Sequence, residues 1–211
     1  ERTDVNGSII TSINKDQFYN LINKIKNENF ESIAVGFLHS YANPENEKIL
    51  KAFLTNELPD VEVSVSSDVC PEIREYERFT TTVVNAYIKP LMSNYLKKLD
   101  QKLLKSGFNC PLLLMTSGGT LTNISSACNN PVRLVESGPA GGAILATSIA
   151  EDMNLNKVIS FDMGGTTAKI TIIENKKAIK AREFEVDRKA RFKKGSGYPL
   201  RIPEIEMDEI G

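Results

Sequence analysis

Ile159-Ser160-Phe161-Asp162-Met163-Gly164-Gly165-Thr166-Thr167-Ala168-Lys169 is the stretch whose reading decides the fold. Lys157 to Asp162 reads as a strand that delivers Asp162 at its end, and Ala168 to Ile173 as the strand that returns. Between them stand two glycines and two hydroxyl residues. Glycines let the backbone turn sharply and approach a ligand with its N–H groups pointing inward, a concavity suited to phosphate oxygens. Thr166 and Thr167 can donate hydrogen bonds to the same oxygens. Asp162 can hold a Mg²⁺-bound water, because Mg²⁺ takes few direct protein ligands and keeps its waters. An ordinary β-hairpin with a Gly-Gly turn accounts for the same letters, and the two readings stand level.

Upstream lies Glu136-Ser137-Gly138-Pro139-Ala140-Gly141-Gly142-Ala143. Ser and Gly before Pro make a helix start, and the helix is expected over Gly138 to Asp152. A helix N-terminus attracts anions, so Gly138, Gly141 and Gly142 are candidate cofactor-binding positions. A tight helix crossing that needs small residues is the competing reading.

Further out, helical and extended patterns alternate, which argues an α/β fold. An amphipathic helix is expected over 16–28, with Phe18, Leu21, Ile22 and Ile25 on one stripe. A buried strand is expected over Ile33 to Leu38. Asn43-Pro44-Glu45 reads as cap, first-turn Pro and acidic first turn of a helix that stops before Leu58-Pro59-Asp60. Residues 61–66 read as a strand.

The longest helical pattern covers 72–106. Tyr76, Phe79, Val83, Tyr87, Leu91, Tyr95, Leu99 and Leu103 recur at spacings of three or four, and this face is expected to pack on the chain's own sheet. Pro90 is expected to kink or split the helix, and Gly107 to end it. Glu72, Arg74, Glu75, Glu77 and Arg78 read as surface ion pairs at its start. A second buried strand is expected over Pro111 to Met115, with a turn at Thr116–Thr120. His39 reads as a hydrogen-bonded structural residue. Tyr198 and the basic flank Arg188, Lys189, Arg191, Lys193 and Lys194 read as a solvated loop.

The chain has 211 residues, enough for one large domain or one and a part. Hydrophobic residues are 41% and charged residues 25%, ordinary for a globular protein. The net charge of -1 provides no field to recruit nucleic acid or an anionic membrane. No apolar run reaches the roughly 18 residues of a membrane span. The three cysteines, Cys70, Cys110 and Cys128, are too few and too scattered for a disulfide framework. A reducing, cytoplasmic setting is expected. The chain opens at Glu1 rather than Met, as in a processed or excised chain.

Taken together, several segments resemble the hydantoinase A / 5-oxoprolinase family. They are Phe37-Leu38-His39-Ser40-Tyr41-Ala42-Asn43-Pro44, Pro71-Glu72-Ile73-Arg74-Glu75-Tyr76-Glu77-Arg78, Ser117-Gly118-Gly119, Ser137 to Gly142 and Phe161 to Thr167. The Ala168-Lys169 continuation and Arg191-Phe192-Lys193 look closest to the N-methylhydantoinase A branch. The resemblance implies an ATP-dependent enzyme of the actin-like ATPase superfamily, in which two RNase H-like domains clamp the nucleotide and each contributes a phosphate hairpin. Residues 1–137 are then part of the first domain, and 138–211 hold the interdomain helix and the start of the second. Asp162 takes the catalytic and Mg²⁺-positioning role, and Gly164, Gly165, Thr166 and Thr167 hold phosphate. The segment Ser137 to Gly142 becomes the crossing between domains.

The reaction implied is ATP-dependent opening of a cyclic amide: hydantoin, N-methylhydantoin or 5-oxoproline. The alternatives are an ATP-dependent carboxylase subunit and a non-catalytic assembly module. Partners implied are a small cyclic amide, a second hydantoinase-type subunit and an oligomer, with no nucleic acid and no membrane. The family has an earlier hairpin that nothing before residue 37 resembles, and it continues past Gly211. An internal segment of a longer polypeptide is therefore expected, one that alone binds Mg-ATP weakly or not at all.

Overall fold

The computed structural model describes residues 1–190 and 193–210. It divides into two compact units. One holds Glu1–Lys98, Cys128–Val132 and Glu185–Arg201, and the other Leu99–Ala127, Arg133–Phe184 and Ile202–Gly211.

The first unit is built on a β-helix-β connection. Helix α1 (Tyr19–Glu28) follows a 3-10 turn at Lys15–Phe18 and ends where Asn29 turns left-handed at φ 53. Strand β1 (Ser32–Val35), helix α2 (Glu45–Glu57) and strand β2 (Glu62–Val65) come next. β1 and β2 pair in parallel, with Ile33 opposite Val63 and Val35 opposite Val65. Ile22, Ile25, Val35, Leu50, Phe53, Leu54, Val63 and Val65 form one buried cluster. The strand expected over 33–38 is shorter than its apolar run. It ends at Val35, and Leu38 is exposed. Glu47 points into this unit fully buried and is satisfied there. Its carboxylate accepts from the Phe37 amide at 2.8 Å, the Ser66 hydroxyl at 2.7 Å and the Ser67 amide at 2.8 Å.

Helix α3 (Glu75–Lys105) is continuous through Pro90, so the proline does not split it. Its faces are the reverse of the expected ones. Tyr76, Val83, Tyr87, Leu91 and Tyr95 are exposed, Tyr87 by 82%. The buried positions are Arg78, Thr81, Thr82, Asn85, Ala86, Lys89, Ser93 and Leu96. The reason is that polar partners lie opposite that face. Asn85 donates to the Ser64 hydroxyl at 3.0 Å and the Asn129 carbonyl at 3.1 Å, and accepts from the Val132 amide at 3.2 Å. Lys89 donates to the Val63 carbonyl at 3.1 Å, and Ser93 to the Cys128 carbonyl at 3.0 Å. Arg78 is likewise no surface residue. It donates to the Phe37 carbonyl at 2.7 Å, and its guanidinium lies 5.3 Å from the Tyr41 ring centre and 5.0 Å from that of Phe79.

The second unit carries the hairpin. Strands β3 (Leu113–Met115) and β4 (Leu121–Asn123) pair antiparallel, but Leu113 is exposed, so this is not the buried strand expected. Helix α4 (Ser137–Asp152) precedes β5 (Lys157–Met163), β6 (Ala168–Glu174) and β7 (Lys177–Ala178). Short strands β8 (Lys180–Ala181) and β9 (Glu204–Ile205) pair with each other, and β10 (Asp208–Ile210) pairs with β6. The sheet order is β10-β6-β5, antiparallel throughout, with β7 also on β6. α4 packs on β5 and β6. Thr171 and Ile173 are buried, whereas Ile159, Phe161 and Met163, which alternate onto the opposite face, are exposed.

Candidate functional site: a hairpin, a glycine-faced helix start and the ion pair that joins them

Register comes first, because it decides which side chains share a face. Phe161 pairs with Ile170, Asp162 with Lys169 and Met163 with Ala168, leaving Gly164 to Thr167 as the turn. One bond closes that turn, from the Gly164 amide to the Thr167 carbonyl at 3.0 Å. The amides of Gly165 and Thr166 and the hydroxyls of Thr166 and Thr167 make no hydrogen bond to another described residue. Asp162 is exposed, and its carboxylate also lacks a partner among the described residues.

The sharp-turn half of the reason expected for these glycines does not hold. Neither Gly164 nor Gly165 is left-handed. A Cβ at Gly164 would come no nearer than 3.8 Å, to the Thr167 carbonyl oxygen, and one at Gly165 would meet nothing within 4 Å. Neither backbone strain nor packing within the chain requires glycine here, which leaves the backbone of the turn open to close approach. Ser117-Gly118-Gly119 makes the contrast. Gly119 is left-handed at φ 73, and a Cβ there would lie 2.7 Å from Ile144 Cδ1. The Ser117 hydroxyl donates to the carbonyls of Arg133 at 3.0 Å and Pro203 at 3.2 Å. Those glycines serve packing.

The start of α4 sorts the same way. Ala140 and Ala143 are fully buried against Ile205, with Ile144, Ala178 and Met207 around them. Gly138, Gly141 and Gly142 meet nothing within 4 Å. The tight crossing expected of the small residues is therefore made by the alanines alone. Each glycine inside a helix costs about 0.5–1 kcal/mol relative to alanine. Three of them, with no close neighbour in the chain, leave an open backbone surface at the first turns.

Two residues inside the quoted motifs, but given no role from sequence, connect these elements. Glu136 precedes α4 in a left-handed conformation at φ 62, and its carboxylate forms an ion pair with the Lys169 ammonium group. The hairpin and the helix start are thus brought together directly. Glu209 is the register partner of Lys169 on β10. The signal in the sequence was the four-residue turn, which fixes Lys169 opposite Asp162. The approach of Glu136 depends on how α4 packs and has no local signature.

The other candidates belong to the first unit. His39 is left-handed at φ 57, with Nδ1 3.3 Å from the Tyr41 hydroxyl. In the basic flank, Arg188 pairs with Glu185 at 3.1 Å, while Arg191 and Phe192 lie outside the described residues. The Gly195 amide, chief among its neighbours, holds the Glu185 carboxyl below its ordinary range. No group of three His, Cys, Asp or Glu among the described residues is placed to hold a metal on its own. A partner-free Asp162 beside unused amides and hydroxyls still fits a hydrated Mg²⁺ with phosphate, since that ion brings its own waters.

The family model for hydantoinase/oxoprolinase matches residues 78–211, and that for the hydantoinase/oxoprolinase N-terminal region matches 1–58. This chain belongs to the hydantoinase/oxoprolinase family. An uncharacterized protein of Methanocaldococcus jannaschii is 44% identical over 213 residues, covering 100% of this chain and 31% of that protein. The caprolactamase subunit alpha of Pseudomonas jessenii is 28% identical over 205 residues, 97% of this chain and 28% of the relative. The acetone carboxylase beta subunit of Xanthobacter autotrophicus is 26% identical over 216 residues, 100% of this chain and 28% of the relative. The hydantoinase/oxoprolinase chain thus spans about a third of the length of these relatives.

Solved structures agree on the fold. The nucleotide-free structure of acetone carboxylase, an enzyme of ATP-dependent acetone carboxylation, superposes with a TM-score of 0.84 at 24% identity, over 100% of this chain and 29% of that one. The crystal structure of the ATP-dependent caprolactamase from Pseudomonas jessenii gives 0.82 at 28% identity, over 100% and 29%. The fold is mixed α/β, that of the hydantoinase-family actin-like ATPases. Among the described residues, no helix is long and apolar enough to cross a membrane.

Proposed function

We propose that this chain is part of an ATP-dependent hydrolase that opens a small cyclic amide: hydantoin, N-methylhydantoin or 5-oxoproline. The observation that carries the reading is the unpartnered Asp162 next to glycines whose Cβ positions are open. In this reading, 138–211 begins the second domain and 1–137 belongs to the first. Gly164, Gly165, Thr166 and Thr167 hold phosphate oxygens through amides and hydroxyls. Asp162 orients a hydrated Mg²⁺, and the open face of Gly138, Gly141 and Gly142 admits the nucleotide closely. ATP, when bound, supplies the phosphoryl group that turns the amide carbon into a better electrophile for water. The chain's own contribution is positioning and charge placement, which carry most of the catalysis in phosphoryl transfer. Three unpaired cysteines favour a reducing, cytoplasmic setting.

The acetone carboxylase relative favours a second reading, a subunit that uses the same phosphate machinery for carboxylation. Relatives named as subunits, together with the exposed face of α3, support contact with a second subunit in either case. The test is Mg-ATP hydrolysis by the whole polypeptide with each ring in turn, with and without bicarbonate. Stimulation by one ring alone is expected. Turnover that requires bicarbonate moves the assignment to the carboxylase.

A further inference from the structure

Lys169 is the only basic residue between Val158 and Ile173. It faces Asp162 across β5 and β6, and Glu209 across β6 and β10. Its ammonium group goes to neither. It reaches Glu136, ahead of α4, with the lysine side chain 15% and the glutamate side chain 34% exposed. A polyphosphate brought to this turn meets unused amides and hydroxyls, but also carboxylates at Asp162, Glu136 and Glu209. The basic side chain that the hairpin itself supplies is already engaged by Glu136.

We propose that Lys169 is the phosphate-binding cation of the hairpin and that Glu136 competes for it. Nucleotide binding exchanges the Glu136 carboxylate for phosphate oxygens on the lysine ammonium group. No bond is made or broken in the exchange other than ionic and hydrogen bonds, and no proton needs to move. The proposal rests on the reading of this hairpin as the nucleotide site. It adds that the ion pair is a resting arrangement rather than a structural tie. Glu136 is left-handed and directly precedes the glycine face of α4, so its release couples phosphate binding to the start of that helix.

The two alternatives differ in sign. If the pair is only structural, removing either partner harms the same geometry, and both variants bind nucleotide less well or unchanged. If Glu136 competes, the two variants move oppositely. The experiment is calorimetric titration of the whole polypeptide with a non-hydrolysable ATP analogue and Mg²⁺. Lys169→Met is expected to weaken binding about tenfold or more, the loss of one charge-assisted contact. Lys169→Arg is expected to stay within a few-fold of the parent. Glu136→Gln is expected to tighten binding several-fold, and that gain is expected to vanish in the Glu136→Gln, Lys169→Met double variant. Thermal unfolding of each variant checks the fold, and Glu136→Gln carries the test if Lys169→Met does not fold. Binding weakened or unchanged by Glu136→Gln overturns the exchange while leaving the nucleotide site standing. Absence of binding by the parent polypeptide overturns both.

Discussion

Gly119 and Gly165 both sit in hairpin turns, for different physical reasons. Gly119 is held left-handed with Ile144 and Ile205 side chains inside 3 Å of a notional Cβ. Gly119→Ala is expected to destabilise by about 1–3 kcal/mol, through strain and overpacking together. Gly165 has neither constraint. Gly165→Ala is expected to change stability by less than about 0.5 kcal/mol, like other substitutions away from packing contacts, and yet to weaken nucleotide binding. Thermal unfolding alongside nucleotide titration checks the pair. Equal loss of stability at both positions contradicts the division between packing glycines and site glycines. The cysteines allow a separate residue-level test. Burial, and then the Glu72 carboxylate, push the Cys70 thiol up, while Cys110 is exposed. The thiolate is the reactive form, so Cys70 lags as pH rises toward the ordinary thiol range. Alkylation followed by mass spectrometry at pH 8 is expected to mark Cys110 first and Cys70 only on unfolding. Equal rates contradict the placement of Cys70.

At the scale of elements, α3 is the instructive case. Its apolar period was legible and its length was right to within a few residues, but its inward face was not. A 3.6-residue period defines two opposite faces, and which one turns inward depends on what the rest of the chain presents. Here the chain presents the Ser64 hydroxyl and the carbonyls of Val63, Cys128 and Asn129, so Asn85, Lys89 and Ser93 turn inward. Those partners lie in segments remote from the helix and leave no mark on its own sequence. The expected cost of substitution is therefore reversed from the usual pattern. Asn85→Ala is expected to lose about 2–3 kcal/mol, because it strips three hydrogen bonds in a buried setting. Tyr87→Ser is expected to stay within about 0.5 kcal/mol, since the ring is outside. Chemical denaturation of the single variants measures both, and a larger loss at Tyr87 contradicts the assigned faces. The hairpin was legible for a complementary reason. Its strands, turn and register follow from adjacent residues, with the four-residue turn fixing every pair. What could not be read was the Glu136–Lys169 pair, which exists only once α4 lies on the sheet.

At the scale of the molecule, family membership and fold rest on matches that run along nearly the whole chain. The chain nevertheless spans about a third of its relatives' length, so their activities do not pass to it by likeness alone. The alternation of helices and strands made the α/β class readable, and the ordered motifs made the family readable. Neither names a substrate, because the hairpin proposed here serves the nucleotide. The central claim is that Asp162 serves the nucleotide, and one comparison tests it most directly. Ring-stimulated Mg-ATP hydrolysis is measured on the whole polypeptide, parent against Asp162→Asn, with unfolding of both followed in parallel. The account predicts a fall of about a hundredfold or more in turnover, the size seen when a preorganised electrostatic group is removed, with stability unchanged. Turnover by Asp162→Asn within a few-fold of the parent contradicts it.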